Sequence, residues 1–143
     1  MAEGERVFVA LGSNLGDRAH WLDEARRRLA ALPGTRVVRC STVEETAPLG
    51  PVPQGPYLNQ MVELDTALEP DALLDACLAI EAALGRERGV RWGPRRIDLD
   101  LVRYGDRTAG TATLTLPHPE IPNRAFWRRE LAELAGSPMR IDA

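Results

Sequence analysis

The stretch at residues 91–101 constrains the fold more than any other part of the chain. Its second half alternates apolar residues, among them Ile97 and Leu99, with charged ones, which is the period of a half-buried β-strand. Side chains two positions apart on a strand point to the same face, roughly 6.5–7 Å apart. The alternation therefore predicts a strand that presents Asp98 and Asp100 together on one face.

These two carboxylates repel each other, and Asp is a poor strand former, so the pair favours a binding site. Mg²⁺ takes carboxylate oxygens and keeps its remaining positions for water and phosphate. Arg91, Arg95 and Arg96 precede the strand, and guanidinium groups fit phosphate oxygens. Gly93-Pro94 predicts a turn before the strand. The stretch indicates polyphosphate chemistry, and the structural alternative is a polar outer sheet face with Arg–Asp pairs.

Composition limits the class of protein. The 143 residues, 44% hydrophobic and 27% charged, predict one domain spanning 1–143 with a sizeable core. The net charge of -3 gives no general affinity for nucleic acid. All 18 basic residues are Arg, which we attribute chiefly to genome composition and which excludes a P-loop lysine. Cys40 and Cys77 match no metal or redox spacing, and we expect both to be buried reduced thiols.

We expect a cytoplasmic protein, because the sequence carries no signal-peptide pattern and no apolar run long enough to span a bilayer. Four strands, a fifth short strand and three helices are predicted. The strands are 7–11, 37–45, 57–68, the strand of the Asp pair, and 113–116; the helices run from 17 to 32, from 70 to 84 and from 126 to 134. Hairpin-like neighbours mixed with crossover helices predict an α+β fold, a ferredoxin-like sandwich with a mostly antiparallel sheet.

One turn and two loops between these elements have an unusual composition. The turn Gly12-Ser13-Asn14-Leu15-Gly16 matches neither the Walker A pattern nor the dinucleotide fingerprint, so we interpret it as structural. The segment 46–56 contains four prolines and two glycines, which excludes regular structure, and a loop of this length is usually functional or mobile. The segment 86–91 is rich in arginine and could close over phosphates or be a solvated loop.

Several motifs occur together in one order. Gly-Ser-Asn-Leu-Gly is followed by Thr-x-Pro-Leu-Gly and Tyr-Leu-Asn, then by Gly-Arg-x-Arg and Arg-Trp-Gly-Pro-Arg-x-Ile-Asp-Leu-Asp, and finally by Pro-His-Pro and Asn-Arg-x-Phe. Over residues 7 to 134 the chain closely resembles the 6-hydroxymethyl-7,8-dihydropterin pyrophosphokinases of folate synthesis. The resemblance implies transfer of the terminal diphosphate of ATP to the pterin hydroxymethyl group, with release of AMP and with mobile catalytic loops.

The resemblance also implies a role for individual residues. Asp98 and Asp100 would hold two Mg²⁺ ions that bridge the phosphates of ATP. The arginines contacting those phosphates would be Arg86 and Arg95. The nucleotide side would be completed by Glu81, Arg88, Trp92, Leu101, Thr115, His118 and Arg124. The pterin would lie between the rings of Tyr57 and Phe126, with its polar edge read by Asn59 and the backbone near Thr46, Pro48 and Leu49.

Two other classes of function remain open from the residues alone. One is a non-catalytic ferredoxin-like domain that binds RNA or protein, which the net charge and the lack of RNA-type aromatic sheet motifs disfavour. The other is a different Mg²⁺-dependent phosphotransferase or a nuclease built on the same Asp pair. We expect a monomer whose partners are ATP and the reduced pterin, with no nucleic acid and no membrane.

Overall fold

The computed structural model describes residues 4–48, 50–51, 53–85 and 96–136. Its strands are β1 (Glu5–Ser13), β2 (Thr35–Cys40), β3 (Glu44–Thr46), β4 (Tyr57–Thr66), β5 (Asp98–Tyr104), β6 (Ala109–Gly110) and β7 (Thr115–Leu116). Its α-helices are α1 (Arg18–Ala30), α2 (Pro70–Ala83) and α3 (Ala125–Gly136), and a 3₁₀ turn at Ile121–Asn123 precedes α3. None of these helices combines the length and apolar character needed to cross a membrane.

The main sheet confirms the predicted fold class. Its strands lie in the order β2-β4-β1-β5, every pairing is antiparallel, and β3 pairs with β4 beyond the end of β2. With α1 after β1 and α2 after β4, this is the strand order of a ferredoxin-like sandwich. The short strands β6 and β7 form a separate two-stranded ribbon.

The central strand β1 is buried on both faces, because helices cover both sides of the sheet. Val7, Val9 and Leu11 point into the larger core, which α1 and α2 complete. Phe8 and Ala10 point into a smaller core on the opposite face, beneath α3. Burying each such large apolar side chain contributes roughly 1.5–3 kcal/mol, so the sheet is anchored from both sides.

Helix α1 shows why these segments are helical. Asp17 caps it by accepting a hydrogen bond from the backbone N–H of His20 at 3.2 Å. Leu22, Ala25 and Leu29 recur at helical spacing and are buried against the sheet. The predicted helix is therefore confirmed.

The strand predicted at 37–45 is instead two short strands, β2 and β3. The Ser41 backbone N–H still donates to the Met61 carbonyl at 2.8 Å, but the Met61 backbone N–H donates to the Ser41 hydroxyl at 2.8 Å instead of a backbone carbonyl, and the ladder ends there. The prediction that Cys40 is buried is wrong, since Cys40 is exposed; Cys77 is buried as expected, and both thiols are free. In the edge strand β2, Arg39 takes the buried position and donates to Glu63 at 2.7 Å.

Candidate functional site

Strand β5 places the acidic pair as the alternation predicts. Leu99 and Leu101 are buried in the larger core, and Asp98 and Asp100 are half-buried on the opposite face. Asp98 lies across from Gly12 on β1, and Asp100 lies across from Ala10. Two half-exposed carboxylates on one face supply the oxygen ligands that Mg²⁺ prefers, and water and phosphate can complete its shell, so the residues fit the ion. Within the described part of the chain, no cluster of three or more His, Cys, Asp or Glu side chains could hold a metal.

Gly12 separates the acidic pair from an amide on the next strand. It faces Asp98 on one side and Asn59 of β4 on the other. A Cβ at Gly12 would lie 3.2 Å from Asn59 Oδ1 and 3.4 Å from Cδ2 of the Tyr57 ring. Neighbouring strands are about 4.8 Å apart, so Asp98 and Asn59 stand about 10 Å apart across a position without a side chain.

The side-chain amide of Asn59 is held by a hydrogen bond to β3. Its Nδ2 donates to Oγ1 of Thr46 on β3, and Thr46 is paired with Tyr57. Asn59 is buried and Tyr57 is half-buried, so the ring covers the sheet beside the amide. Pro48 follows β3 and is half-buried. The structure thus brings together Thr46, Tyr57 and Asn59, three of the residues that the resemblance assigns to the pterin, and Pro48 lies two positions beyond Thr46.

A cavity of about 250 Å³ opens on the other side of Asp100. Its lining includes Asp100, Leu101, Thr115 and His118, four of the residues predicted to contact metal or nucleotide. The remaining lining residues are Leu74, Leu99, Ala112, Thr113, Leu114 and Pro119. The lining is apolar with a few polar groups, which is typical of a site for a small molecule.

His118 is held rigidly at the edge of this cavity. Its backbone N–H donates to the Val102 carbonyl at 2.9 Å, and its Nδ1 accepts from the backbone N–H of Glu120 at 3.0 Å. Burial, aided by the charge of Arg124, lowers the pKa of His118 below its ordinary value despite opposing contributions from Asp100 and Glu120. The imidazole is therefore neutral at pH 7 with its proton on Nε2, and it can donate one hydrogen bond.

Arg124 lies beside Asp100. Its guanidinium is 4.0 Å from the Asp100 carboxylate and 4.0 Å from that of Glu120. The same group lies over the indole of Trp127, 4.4 Å from the ring centroid. Arg124 thus joins the acidic pair to helix α3, which also carries Phe126, a half-buried residue whose ring is 6.4 Å from that of Trp127.

Glu81 supports the site through a hydrogen bond with the backbone of β5. It is 4% exposed on α2, and its Oε2 accepts from the backbone N–H of Leu99 at 2.7 Å. A buried carboxylate needs a hydrogen-bond partner, and the backbone of β5 provides one here. Glu81 does not line the cavity itself. It holds the backbone of Leu99, and Leu99 lines the cavity.

Five predicted site residues lie outside the described residues. They are Leu49, Arg86, Arg88, Trp92 and Arg95. The predicted arginine-rich loop and the turn at Gly93-Pro94 fall in the same segment.

Sequence reasoning missed two residues of this region. Gly12 was assigned to the turn after β1, yet it lies inside the strand, and a glycine within an apolar strand is a signal of close approach by a ligand or another chain. Trp127 was predicted only as part of the helix from 126 to 134. It is 2% exposed as expected of a core residue, but its ring contacts His118, Arg124 and Phe126. No local sequence pattern signals those contacts.

Comparison with known proteins adds an independent result. Residues 8–136 match the model of the family described as 7,8-dihydro-6-hydroxymethylpterin-pyrophosphokinase. Three similar proteins bear the name 2-amino-4-hydroxy-6-hydroxymethyldihydropteridine pyrophosphokinase. That of Methylorubrum extorquens is 48% identical over 91% of this chain and 82% of its own length. That of Pseudomonas aeruginosa is 43% identical over 92% and 81%, and that of Bacillus subtilis 41% identical over 90% and 77%.

Proposed function

Because this chain belongs to the 7,8-dihydro-6-hydroxymethylpterin-pyrophosphokinase family, we propose that it transfers diphosphate from ATP to the hydroxymethyl group of 6-hydroxymethyl-7,8-dihydropterin. AMP is the second product, and the reaction belongs to folate biosynthesis. The observation that carries the proposal is the row Asp98–Gly12–Asn59, which sets an acidic pair and a fixed amide on one sheet face. The space above Gly12 is where the reacting hydroxymethyl group would lie.

The nucleotide occupies the cavity beside Asp100 in this proposal. Leu101 and Thr115 supply the walls for the adenosine, and the Nε2–H group of His118 donates a hydrogen bond to a phosphate oxygen. Arg124 brings a positive charge to the same phosphates, since a guanidinium binds phosphate oxygens well. Glu81 keeps the β5 edge in register by holding the Leu99 amide.

The pterin lies over Gly12 with its polar edge against Asn59. The Thr46 hydroxyl occupies one hydrogen of the Asn59 amide, which leaves the amide oriented for an amide-like ring edge. Tyr57 covers one face of the heterocycle and Phe126 the other, as flat rings favour. The backbone near Pro48 and Leu49 completes the pocket.

Two Mg²⁺ ions bound at Asp98 and Asp100 would neutralise phosphate charge and help the substrate hydroxyl lose its proton. The arginines Arg86 and Arg95 add positive charge at the transferred group, Arg88 binds the nucleotide side, and Trp92 covers the closed site. Diphosphoryl transfer depends mainly on positioning and charge neutralisation, so a dedicated general base is not needed.

The bond changes are simple. The pterin hydroxyl oxygen attacks the β-phosphorus, the bond from that phosphorus to the bridging oxygen of the α-phosphate breaks, and AMP leaves with the electron pair. The hydroxyl proton passes to solvent. Rigid donors such as His118 hold the triphosphate in line, which is the main contribution that the protein can make.

We also propose that the enzyme acts as a monomer in the cytoplasm and binds neither nucleic acid nor membrane. The net charge of -3 supports this for nucleic acid, since it offers no general attraction to a polyanion. Light scattering of the purified chain tests the monomer.

The deciding experiment is a product analysis. Incubation with ATP, Mg²⁺ and the reduced hydroxymethyl pterin should give AMP and the pterin diphosphate, separated by chromatography. Asp98→Asn should lower kcat by roughly 10²–10³-fold, the cost of losing one group that stabilises transition-state charge. Asp106→Asn, in the turn after β5, is the matched control and should retain activity. Formation of ADP instead of AMP would overturn the proposal in favour of an ordinary kinase.

A further inference from the structure

The ring of Trp127 contacts three side chains of the site at once. The His118 imidazole meets it edge to face, with centroids 4.9 Å apart and planes at 88°. The Arg124 guanidinium lies 4.4 Å from its centroid, and the Phe126 ring is 6.4 Å away at 76°. We propose that Trp127 is a positioning residue whose indole fixes His118 and Arg124 for the nucleotide. This inference rests on the proposed function.

Arg124 shows what the indole does. Its guanidinium is 4.0 Å from Asp100 and also 4.0 Å from Glu120, too far for a hydrogen bond to either carboxylate. An unrestrained arginine between two carboxylates would close on one of them. The cation–π contact with Trp127 offers a competing attraction, and indole is the ring that provides it most strongly. The guanidinium is thereby kept poised for an incoming phosphate.

His118 gains its orientation from two directions. Glu120 fixes its Nδ1, and the perpendicular contact with Trp127 fixes the plane of the ring. Rotation of the imidazole would turn the Nε2 proton away from the cavity that His118 lines. A side chain without an aromatic face at position 127 would remove this second restraint and leave the first.

Trp127 is itself immobile, which a positioning residue requires. It is 2% exposed and packs with Phe8, Ala10 and Met61 beneath α3. Its backbone N–H donates to the Arg124 carbonyl at 3.0 Å, so both residues belong to the same helical turn. The sheet thus sets the position of the indole, and the indole sets the nucleotide-binding side chains.

The test measures binding, so that it does not depend on turnover. The Kd of α,β-methylene-ATP with Mg²⁺, from calorimetry, should rise about tenfold in Trp127→Leu and about threefold in Trp127→Phe, which keeps a smaller aromatic face. The Kd of the hydroxymethyl pterin, measured with the analogue saturating, should rise much less. Ring-current shifts of the His118 and Arg124 NMR signals should vanish in Trp127→Leu and persist in Trp127→Phe.

Leu134→Ala is the matched control, since Leu134 is a buried residue of the same helix and the same core, lies about two helical turns from Trp127 and does not line the cavity. It should lower the melting temperature and leave the Kd of the nucleotide analogue unchanged. If Trp127→Leu does not fold, Trp127→Phe decides alone. Equal weakening of nucleotide and pterin, or an unchanged Kd for the nucleotide in a folded Trp127 variant, would overturn the inference. Absence of AMP formation by the wild type would overturn the proposed reaction instead, while the Kd ratios would still judge Trp127.

Discussion

Glu130 is a carboxyl group in a place where a charge is costly. It lies on α3, is 1% exposed, and neither of its oxygens accepts a hydrogen bond from a donor among the described residues. Burial, together with the hydrogen bond and the charge of neighbouring Glu44, raises the pKa of Glu130 to about 9, although Arg129 opposes the shift. Glu130 is therefore protonated at neutral pH and donates to Glu44, which ties α3 to β3.

This shift makes stability depend on pH. The folded state keeps the Glu130 proton up to about pH 9, whereas the unfolded state loses it near the ordinary value of 4.5. Between these values the folded state binds more protons, so the free energy of unfolding falls as pH rises, by up to about 1.4 kcal/mol per pH unit. Glu130→Gln should remove this slope and be more stable than the wild type at pH 8, as measured by urea unfolding from pH 5 to 9.

A second substitution shows whether the slope belongs to the buried carboxyl. Glu133→Gln makes the same side-chain replacement on the exposed side of α3, where Glu133 accepts from the Thr42 backbone N–H at 2.9 Å. The charge of Glu133 is the smallest of the contributions that raise the pKa of Glu130, so the slope should persist in this variant and end at a slightly lower pH. A slope that Glu130→Gln does not alter would contradict the assignment.

At the scale of elements, the close approach of β1 and β4 matters most to the pterin side. Gly12→Ala would place a methyl group 3.2 Å from Asn59 Oδ1 and 3.4 Å from the Tyr57 ring, so Asn59 must shift by a few tenths of an ångström while the ring stays at van der Waals distance. The Thr46 contact resists a shift of Asn59. We expect the Kd of the pterin to rise about tenfold, comparable to one lost hydrogen bond, with the Kd of the nucleotide unchanged, both by calorimetry.

Gly110→Ala provides the comparison, since a Cβ at Gly110 would meet no atom within 4 Å. It should leave both dissociation constants unaffected. Equal weakening of nucleotide and pterin by Gly12→Ala would mean that the strands have separated generally rather than at the pterin.

Some elements could be predicted from sequence because residues close together in the chain determine them. The alternation around Asp98 sets the faces of β5, and the Asp17 cap with Leu22 and Leu29 sets α1. Others depend on partners distant in sequence. The break between β2 and β3 accompanies the hydrogen bond from the Met61 backbone N–H to the Ser41 hydroxyl, and the exposure of Cys40 accompanies the burial of Arg39 against Glu63. Neither contact produces a periodic pattern in the sequence.

The same distinction holds for the site. Asp98, Asp100, Asn59 and His118 were predicted as site residues because their types and spacing match a known motif. Their placement depends on the sheet register, since Asp98 and Asn59 are 39 positions apart in the chain and meet only through Gly12. Trp127 could not be found at all, because a buried tryptophan on a helix has the same sequence signature whether or not it supports a site.

Across the whole molecule, the two faces of the sheet are used differently. One face is closed by α1 and α2 over the larger core. The other carries the smaller core under α3, and beside it Asp98, Asn59 and the half-buried Tyr57. A pterin bound on that second face would join β4, β1 and α3, and a nucleotide in the cavity beside Asp100 would join β5, α2 and β7, so binding should stabilise the fold as a whole.

Thermal unfolding tests this coupling. A nucleotide analogue with Mg²⁺ at about 100 times its Kd should add about 2.7 kcal/mol to the free energy of unfolding, because it binds the folded state alone. For a chain of this size that corresponds to a rise in Tm of roughly 5–10 °C. Replacing Mg²⁺ with EDTA should remove most of the rise, and Asp100→Asn should do the same with Mg²⁺ present, since the carboxylates hold the ion that the phosphates share. An equal rise with and without Mg²⁺ would mean that the nucleotide binds away from the acidic pair.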